Sequence, residues 1–162
     1  MRLPLLLGVA LLLLNVAARS GDAACLVTLP PSPPFVPPPP YDGLGAPEGG
    51  FWYGTDVLWT QLDAAGVWHM KDNVDKHGGY VTKLVFWTRA FDWRKEFQPE
   101  LILTAQRLDS DAPSVAVAHA NAVFIAHKPA IMTGIRIPTS GCWEVTAYYG
   151  ERRLVFVVSV EP

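Results

Sequence analysis

The stretch Ile137–Val160, IPTSGCWEVTAYYGERRLVFVVSV, decides the fold because it contains two strand-like runs around a Gly150-Glu151 pair. Glycine at the first loop position suits a two-residue type II′ turn, since only glycine adopts a positive φ there at little cost. This loop length sets the register, and it makes Tyr149 face Arg152. Counting back predicts three further apolar pairs: Ala147 with Leu154, Val145 with Phe156, and Trp143 with Val158. These six side chains are the predicted centre of the core.

Short strand-like runs also recur through the preceding part of the chain, with turn signals between them. The predicted strands are Phe51–Gly54, Val57–Leu62, Val67–Met70, Tyr80–Thr88, a run within Pro99–Leu108, and a run within Ala130–Pro138. Val115–Ala126 fits one or two strands or a short helix, and Phe91–Phe97 fits a helical turn or an extended connector. No long segment shows a helical period, so residues 49–162 are predicted to form one antiparallel β-sandwich.

The amino terminus has the parts of a secretory signal peptide, predicted to cover residues 1–18. Arg2 supplies the charge, Leu5–Leu14 is a short apolar run, and Val16–Ala18 supplies small residues for cleavage. The apolar run is too short to span a bilayer, and no later one is longer, so the mature chain is expected to lack a transmembrane segment. We therefore expect an exported protein that is secreted, periplasmic or held at the cell surface.

The net charge argues against nucleic acid as a partner. It is −2 for the whole sequence, with 13 basic and 15 acidic residues. Loss of Arg2 with the signal peptide leaves 12 basic residues and a charge of −3. Binding to a phosphate backbone needs a concentrated basic stripe, and this sequence has none.

Residues 19–48 are predicted to form a Pro/Gly-rich arm ahead of the domain. Pro30–Pro40 holds eight prolines in eleven residues, which cannot donate to a strand ladder and favour polyproline II. Such a segment is either a stiff spacer, an arm draped over the domain, or a ligand for the aromatic-lined modules that bind Pro-rich peptides.

The chain has two cysteines, Cys25 and Cys142, and an even pair in an oxidising compartment most simply forms one disulfide. In the predicted register Cys142 lies on the outer face of the hairpin with Val155 and Val157. An arm held there by Cys25 would cover the two valines and would lay the Pro-rich segment along that sheet. Cα atoms more than about 7 Å apart would exclude this pairing. Alternatively, Asp22–Cys25 is a lipoprotein processing site with a lipid anchor on the cysteine, although aspartate fits that motif poorly.

The terminal hairpin also carries a resemblance. Pro138–Val145, continued into Phe156–Val160, resembles the last strand pair of bacterial immunoglobulin-like domains. A C-x-V-T-x-P start at Cys25–Pro30, combined with the G-C-W-E-V-T hairpin, is similar to a set of uncharacterised secreted bacterial proteins. The resemblance implies an immunoglobulin-like β-sandwich and export, and it implies no catalytic activity.

Motifs of known chemistry are absent from the sequence, which has no G-x-S-x-G elbow, H-E-x-x-H pair, P-loop or dinucleotide fingerprint. The four histidines stand in separate segments, and the loop Lys71–Gly79 lacks the spacing of a calcium loop. We therefore expect no metal and no cofactor. The carboxylates near predicted turns cannot be paired for acid/base work from spacing alone: Glu96, Glu100, Asp109 and Asp111.

An aromatic cluster supplies the candidate ligand-binding residues: Trp52, Tyr53, Trp59 and Trp68. Exposed aromatic planes stack on sugar rings or enter a partner's groove, whereas the alternative is that these rings fill the core. The sequence thus favours a secreted, non-catalytic module that binds an extracellular protein or glycan. Two alternatives remain open: a carbohydrate-binding or envelope-attachment module that uses these rings, and a small hydrolase or inhibitor whose groups converge only in three dimensions.

Overall fold

The structure is a computed structural model that describes residues 24–69, 74, 76 and 79–162. Within these residues the chain forms ten β-strands and no helix, in agreement with the predicted all-β class. The predicted signal peptide lies outside the described residues, as does most of the loop that was compared with a calcium site.

Two five-stranded sheets contain all ten strands. In chain order the strands are β1 (Gly50–Gly54), β2 (Trp59–Asp63), β3 (Val67–His69), β4 (Tyr80–Trp87), β5 (Leu101–Arg107), β6 (Val115–Val117), β7 (Ala120–Ile125), β8 (Lys128–Ile137), β9 (Gly141–Tyr149) and β10 (Arg152–Glu161). Sheet A has the order β1-β2-β4-β8-β7, and sheet B has the order β3-β10-β9-β5-β6. Neighbouring strands are antiparallel except β3, which runs parallel to β10.

The strand order identifies the sandwich as immunoglobulin-like. In immunoglobulin domains one sheet has the order A-B-E-D and the other contains C, F and G. Taken in chain order, β2-β4-β8-β7 correspond to A-B-E-D, and β5, β9 and β10 correspond to C, F and G. The predicted fold class is therefore confirmed, with β1, β3 and β6 as additional edge strands.

The terminal hairpin has the predicted register. Tyr149 pairs with Arg152, and the three apolar pairs predicted from the sequence are all formed. The side chains of these three pairs are between 0 and 4% exposed. Gly150 has a φ of 57°, while Glu151 keeps a negative φ, as a type II′ turn requires. Local turn chemistry and core packing thus agree on one register.

A second two-residue hairpin joins β7 to β8, where the sequence contains no turn signal. Val115–Ala126 divides into β6 and β7, and Ile125 pairs with Lys128 across the turn. The loop residues Ala126 and His127 have φ values of 47° and 63°. Two positive φ values define a type I′ turn, which normally uses Asn and Gly. The hairpin is therefore formed by tertiary packing against the preference of its loop residues.

The turn after β2 moves the chain from sheet A to sheet B, because β2 and β3 belong to different sheets. The Asp63 carboxylate accepts from the Ala65 N–H at 2.7 Å, and Gly66 follows at a φ of 67°. A Cβ on Gly66 would lie 2.6 Å from the Cβ of Val27. The turn is therefore also the place where the amino-terminal arm packs against the sandwich.

Two separate hydrophobic clusters hold the structure together. The main core fills the space between the sheets and includes Phe86, Trp143 and Phe156. The arm core lies on the outer face of sheet A and contains Trp52, Trp59, Trp87, Ala130 and Tyr41, with Phe35, Leu44, Val85 and Val123 packed against it. The arm is thus a third layer over sheet A.

The arm begins on sheet B, where Cys25 and Cys142 form the predicted disulfide with a Cα–Cα distance of 5.4 Å. Beside it, the Thr28 N–H donates to the Val157 carbonyl at 2.9 Å, and the Val157 N–H donates to the Thr28 hydroxyl at 2.8 Å. These two bonds cap the edge of β10 beyond its pairing with β3.

The Pro-rich segment then reaches the other sheet, where it includes cis peptide bonds at Ser32-Pro33 and Pro39-Pro40. The prediction that it follows the outside of the hairpin's sheet was therefore wrong. The outer face of sheet A offers three tryptophan side chains, which provide far more apolar area to bury than Val155 and Val157 do.

Candidate functional site

The structure places two of the four candidate aromatics in the arm core. Trp52 is 5% exposed and Trp59 is fully buried, with the Tyr41 ring packed edge-on against Trp59 at a centroid distance of 5.3 Å. The Trp52 indole donates to the Leu44 carbonyl at 3.0 Å. Neither ring presents a face to solvent in this arrangement.

The other two candidates pack against the main core and are partly buried. The Tyr53 hydroxyl donates to the Val155 carbonyl at 3.0 Å, so β1 reaches across to the edge of sheet B. Trp68 packs edge-on against Phe156 at a centroid distance of 6.3 Å. The four residues therefore form no exposed row, and the alternative that such rings fill hydrophobic cores describes their positions.

A different region has the properties of a binding site: the β4–β5 loop, residues 88–100. Its centre is a single helical turn, because the N–H groups of Lys95 and Glu96 both donate to the Asp92 carbonyl. The Asp92 carboxylate also accepts from the Arg94 N–H at 3.1 Å and forms an ion pair with Lys95. The sequence allowed either a helical turn or an extended connector for Phe91–Phe97, and the structure contains the helical turn.

The loop is attached at two places to β7, the edge strand of sheet A. The Ala122 N–H of β7 donates to the Phe97 carbonyl at 3.1 Å. Trp93 packs edge-on against Phe124 at 5.1 Å, and the Arg94 guanidinium lies 4.7 Å from the Trp93 ring centroid. These contacts fix the backbone while they leave the Phe97 side chain 73% exposed.

A cavity of about 490 Å³ opens between this loop and the β9–β10 turn. It is lined by Ala90, Lys95, Glu96, Phe97, Gln98, Glu100, Tyr149, Gly150 and Arg152. In immunoglobulin terms the two loops are B–C and F–G, which belong to the end that binds antigen in variable domains. The cavity thus combines carboxylates, cations, an amide and an exposed ring at the end of the sandwich where loops meet.

Tyr149 lines this cavity and is held in its neutral form. Its hydroxyl donates to Oε2 of Glu96 at 2.7 Å. Burial raises the pKa of Tyr149 far above its usual range, and the hydrogen bond to Glu96 raises it further, while Arg152 opposes the shift. The phenol is therefore a hydrogen-bond donor at physiological pH.

Sequence reasoning found only part of this site. It singled out Glu96 and Glu100 as carboxylates near turns, but it could not bring them to Tyr149, because that contact depends on how the two sheets stack. Phe97 was not among the candidate residues, although an aromatic residue between the polar Glu96 and Gln98, in a segment without a regular strand pattern, is a usable signal of an exposed contact residue.

Two further findings concern metal sites and membrane spans among the described residues. They contain no group of three or more His, Cys, Asp or Glu side chains placed to hold a metal ion. No helix in the described part of the chain is long and apolar enough to cross a bilayer.

Comparisons with protein-family models, with curated proteins and with solved structures found no match for this chain. The strand order defines the class of protein by its fold: an immunoglobulin-like β-sandwich, which here carries a disulfide-linked amino-terminal arm. The resemblance to uncharacterised secreted bacterial proteins stays a prediction from the terminal hairpin.

Proposed function

We propose that this protein is an exported, non-catalytic binding module that contacts an extracellular partner, a protein or a glycan, through its β4–β5 loop. One observation carries the proposal: Phe97 is 73% exposed at the rim of a cavity between the loops that correspond to B–C and F–G. A large aromatic side chain in water at this place is apolar area that a ligand can bury.

The composition of the loop supports a role in recognition. Trp93, Arg94 and Phe97 belong to the aromatic and arginine types that are enriched in protein interfaces. The turn at Asp92 and the bond from Ala122 to the Phe97 carbonyl hold the backbone in place. Binding then orders few additional groups, which lowers its entropic cost.

The chemistry of the cavity supports binding without catalysis. Its lining residues include no serine, cysteine or histidine that could act as an activated nucleophile or as its base. Tyr149 stays protonated and already donates to Glu96, so it offers a fixed dipole. Glu100, Gln98 and Arg152 supply further hydrogen-bonding groups around it.

Export is supported by the disulfide between Cys25 and Cys142, because such bonds persist in oxidising compartments. The predicted signal peptide agrees with this location. A sulfur atom in a disulfide cannot also carry a lipid, so the bond argues against an acyl anchor on Cys25.

A small hydrolase is the second candidate, and one observation favours it. Glu96 and Glu100 both line the cavity beside Tyr149, and paired carboxylates are the groups that glycoside hydrolysis uses. A cleavage assay of the unchanged protein and of Glu100→Gln distinguishes the two functions. A hydrolase cleaves the glycan and loses this activity in the variant, whereas both forms of a binding module retain the glycan uncleaved.

The main test places a photo-crosslinking amino acid at position 97 and, as a matched control, at position 108. Leu108 is also exposed, at 53%, but lies outside this cavity. We expect a dominant crosslink from position 97 alone on cells that export the protein. Phe97→Ala should then weaken binding to the purified partner by at least about tenfold, and Leu108→Ala should not. Equal crosslinking from both positions, or equal affinity of both variants, would overturn the proposal.

A further inference from the structure

The outer face of sheet A differs from the usual outer face of an antiparallel sandwich, which is polar and solvated. Neighbouring strands contribute Trp52 from β1, Trp59 from β2, Trp87 from β4 and Ala130 from β8. These residues belong to the arm core and are separate from the main core. They form an aromatic-lined groove that runs across four strands.

The occupant of this groove is a Pro-rich segment. Pro37 and Tyr41 are buried and Phe35 is half-buried, while Val36 between them is 63% exposed. Aromatic-lined surfaces that receive Pro-rich segments are a recurring mode of peptide recognition, because such segments lose little entropy when they bind. A ligand for a module of that kind was one of the three interpretations that the sequence left open for this segment, and the structure places an aromatic surface against it in the same chain.

The arm supplies acceptors for only some of the hydrogen-bond donors in the groove. The Trp52 indole donates to the Leu44 carbonyl, and the Tyr41 hydroxyl donates to the Pro129 carbonyl at 3.3 Å. The indole N–H groups of Trp59 and Trp87 are buried and have no hydrogen-bond partner. Buried indole N–H groups normally find an acceptor. The arm therefore covers the rings and leaves two donors unused.

The arm can leave the groove without breaking strand pairing. Its start is tied to sheet B through Cys25, and its end is the Gly-rich segment 42–49, which is exposed except for the half-buried Leu44. A Cβ on Gly43, Gly45 or Gly49 would meet no atom within 4 Å, so this segment is loosely packed. A displaced arm thus stays tethered close to the groove.

We propose that this groove recognises Pro-rich polypeptide segments of a partner protein, and that the protein's own arm is the competitor that covers it in cis. A partner segment displaces the arm when its carbonyl oxygens reach the free indole donors of Trp59 and Trp87. This site is independent of the β4–β5 loop. Because a tethered competitor acts at an effective concentration of about millimolar, the intact arm weakens binding in trans.

The first test measures fluorescence anisotropy of a labelled synthetic peptide with the sequence of residues 30–44. The protein is the full mature chain, either unchanged or with Tyr41→Ala, which removes the ring that anchors the arm in the groove. We expect the variant to bind the peptide at least about tenfold more tightly, because its competitor is weaker. The control peptide carries alanine at the position of Tyr41 and should bind weakly to both proteins.

The second test follows the indole N–H signals of the unchanged protein by NMR while the peptide is added, and it decides the matter if Tyr41→Ala fails to fold. The signals of Trp59 and Trp87 should shift. The signal of Trp143 should stay in place, because its indole already donates to the Thr139 carbonyl in the main core. Unchanged signals at millimolar peptide would overturn the proposal. So would a folded Tyr41→Ala variant that binds chito- or cello-oligosaccharides but no peptide.

Discussion

The main core and the arm core are built from similar residues but are held in different ways. Trp143 in the main core has its indole bonded to the Thr139 carbonyl, and the main core lies between two hydrogen-bonded sheets. Trp59 and Trp87 in the arm core have unbonded indoles, and the layer above them is a segment with no strand pairing to sheet A. Strands therefore enclose the first core on both sides, whereas the second has strands on one side and, on the other, an arm held by side-chain packing and by a few hydrogen bonds such as that from Trp52 to Leu44. The arm should therefore open at a lower free energy than the sandwich.

The largest effect should come from a matched pair of substitutions, Phe156→Ala in the main core and Phe35→Ala in the arm. Phe156 is 1% exposed, and its loss leaves a cavity that should cost about 3–5 kcal/mol of unfolding free energy. Phe35 is half-buried, and its loss should cost about 1–2 kcal/mol and be confined to the arm. Urea unfolding measures the first effect, and hydrogen exchange of residues 24–48 measures the second. Equal global costs would show that the two cores unfold as one unit.

Removal of the disulfide should have the next largest effect. The bond closes a loop with a sequence separation of 117, so Cys25→Ser combined with Cys142→Ser should cost about 2–4 kcal/mol, chiefly by releasing the unfolded chain. The arm should lose exchange protection near Thr28 and keep it near Tyr41, which is anchored in the arm core. Thermal unfolding and hydrogen exchange of the double variant test both statements. Loss of protection along the whole arm would show that the arm core depends on its anchor on sheet B.

Gly66→Ala should destabilise the junction between the arm and the sandwich by about 1–3 kcal/mol. A left-handed backbone costs a residue with a side chain about 1–2 kcal/mol, and the added Cβ would also collide with Val27. Combining Gly66→Ala with Val27→Gly, which removes both Val27 atoms that the new Cβ would meet, should restore the part that comes from the collision. A double-mutant cycle measured by urea unfolding separates the two contributions. No recovery in the double variant would assign the whole cost to the backbone.

The two hairpin turns predict changes of opposite sign. Ala126→Asn combined with His127→Gly introduces the residues that a type I′ turn prefers, and it should stabilise the protein by about 0.5–1.5 kcal/mol. Gly150→Ala places a side chain at a φ of 57° and should destabilise it by about 1 kcal/mol. Thermal unfolding of both variants makes the comparison. Destabilisation by the Asn-Gly pair would mean that the loop side chains make contacts worth more than the relieved backbone strain.

These turns also show why the sequence predicted one hairpin and missed the other. At Gly150 the residue type, the loop length and the apolar alternation all indicate the same register, so local information was sufficient. At Ala126 and His127 no residue type marks the turn, and the pairing of Ile125 with Lys128 follows from the position of β8 beside β4. Sequence reasoning succeeded where local preference and tertiary packing agree.

The same distinction applies to the sites. The pairing of Cys25 with Cys142 followed from the cysteine count of the chain and from the strand face of Cys142, and both can be read without knowing how distant segments pack. The cavity required Glu96 and Tyr149, which lie 53 positions apart, to meet at one end of the sandwich. The arm core depends on which of the two outer sheet faces the Pro-rich segment packs against. Neither outcome depends on a local pattern, so only the structure supplies them.

The smallest predicted effect concerns the anchor of the arm on sheet B. Asp109 accepts from the Arg107 guanidinium and from the Cys142 N–H, and these bonds lower its pKa below the ordinary value of 3.8. A carboxyl group whose pKa is lower in the folded state stabilises the fold above its unfolded pKa and loses that contribution as the pH falls through its folded pKa. The group is near the surface, so the contribution should be below about 1 kcal/mol.

Asp109→Asn should therefore be slightly less stable than the unchanged protein near neutral pH, and the difference should shrink as the pH falls below about 4 and vanish once Asp109 is protonated in the folded state. Urea unfolding across this pH range measures the difference in the free energy of unfolding between the two proteins. Taking this difference removes the contribution of all other carboxyl groups. A difference that persists at low pH would mean that the substitution destabilises the protein because the amide disturbs the Cys142 backbone, and not because the Asp109 charge is lost. The arm would then be anchored by the geometry of the Arg107–Asp109 turn, and acid would leave its exchange protection near Thr28 unchanged.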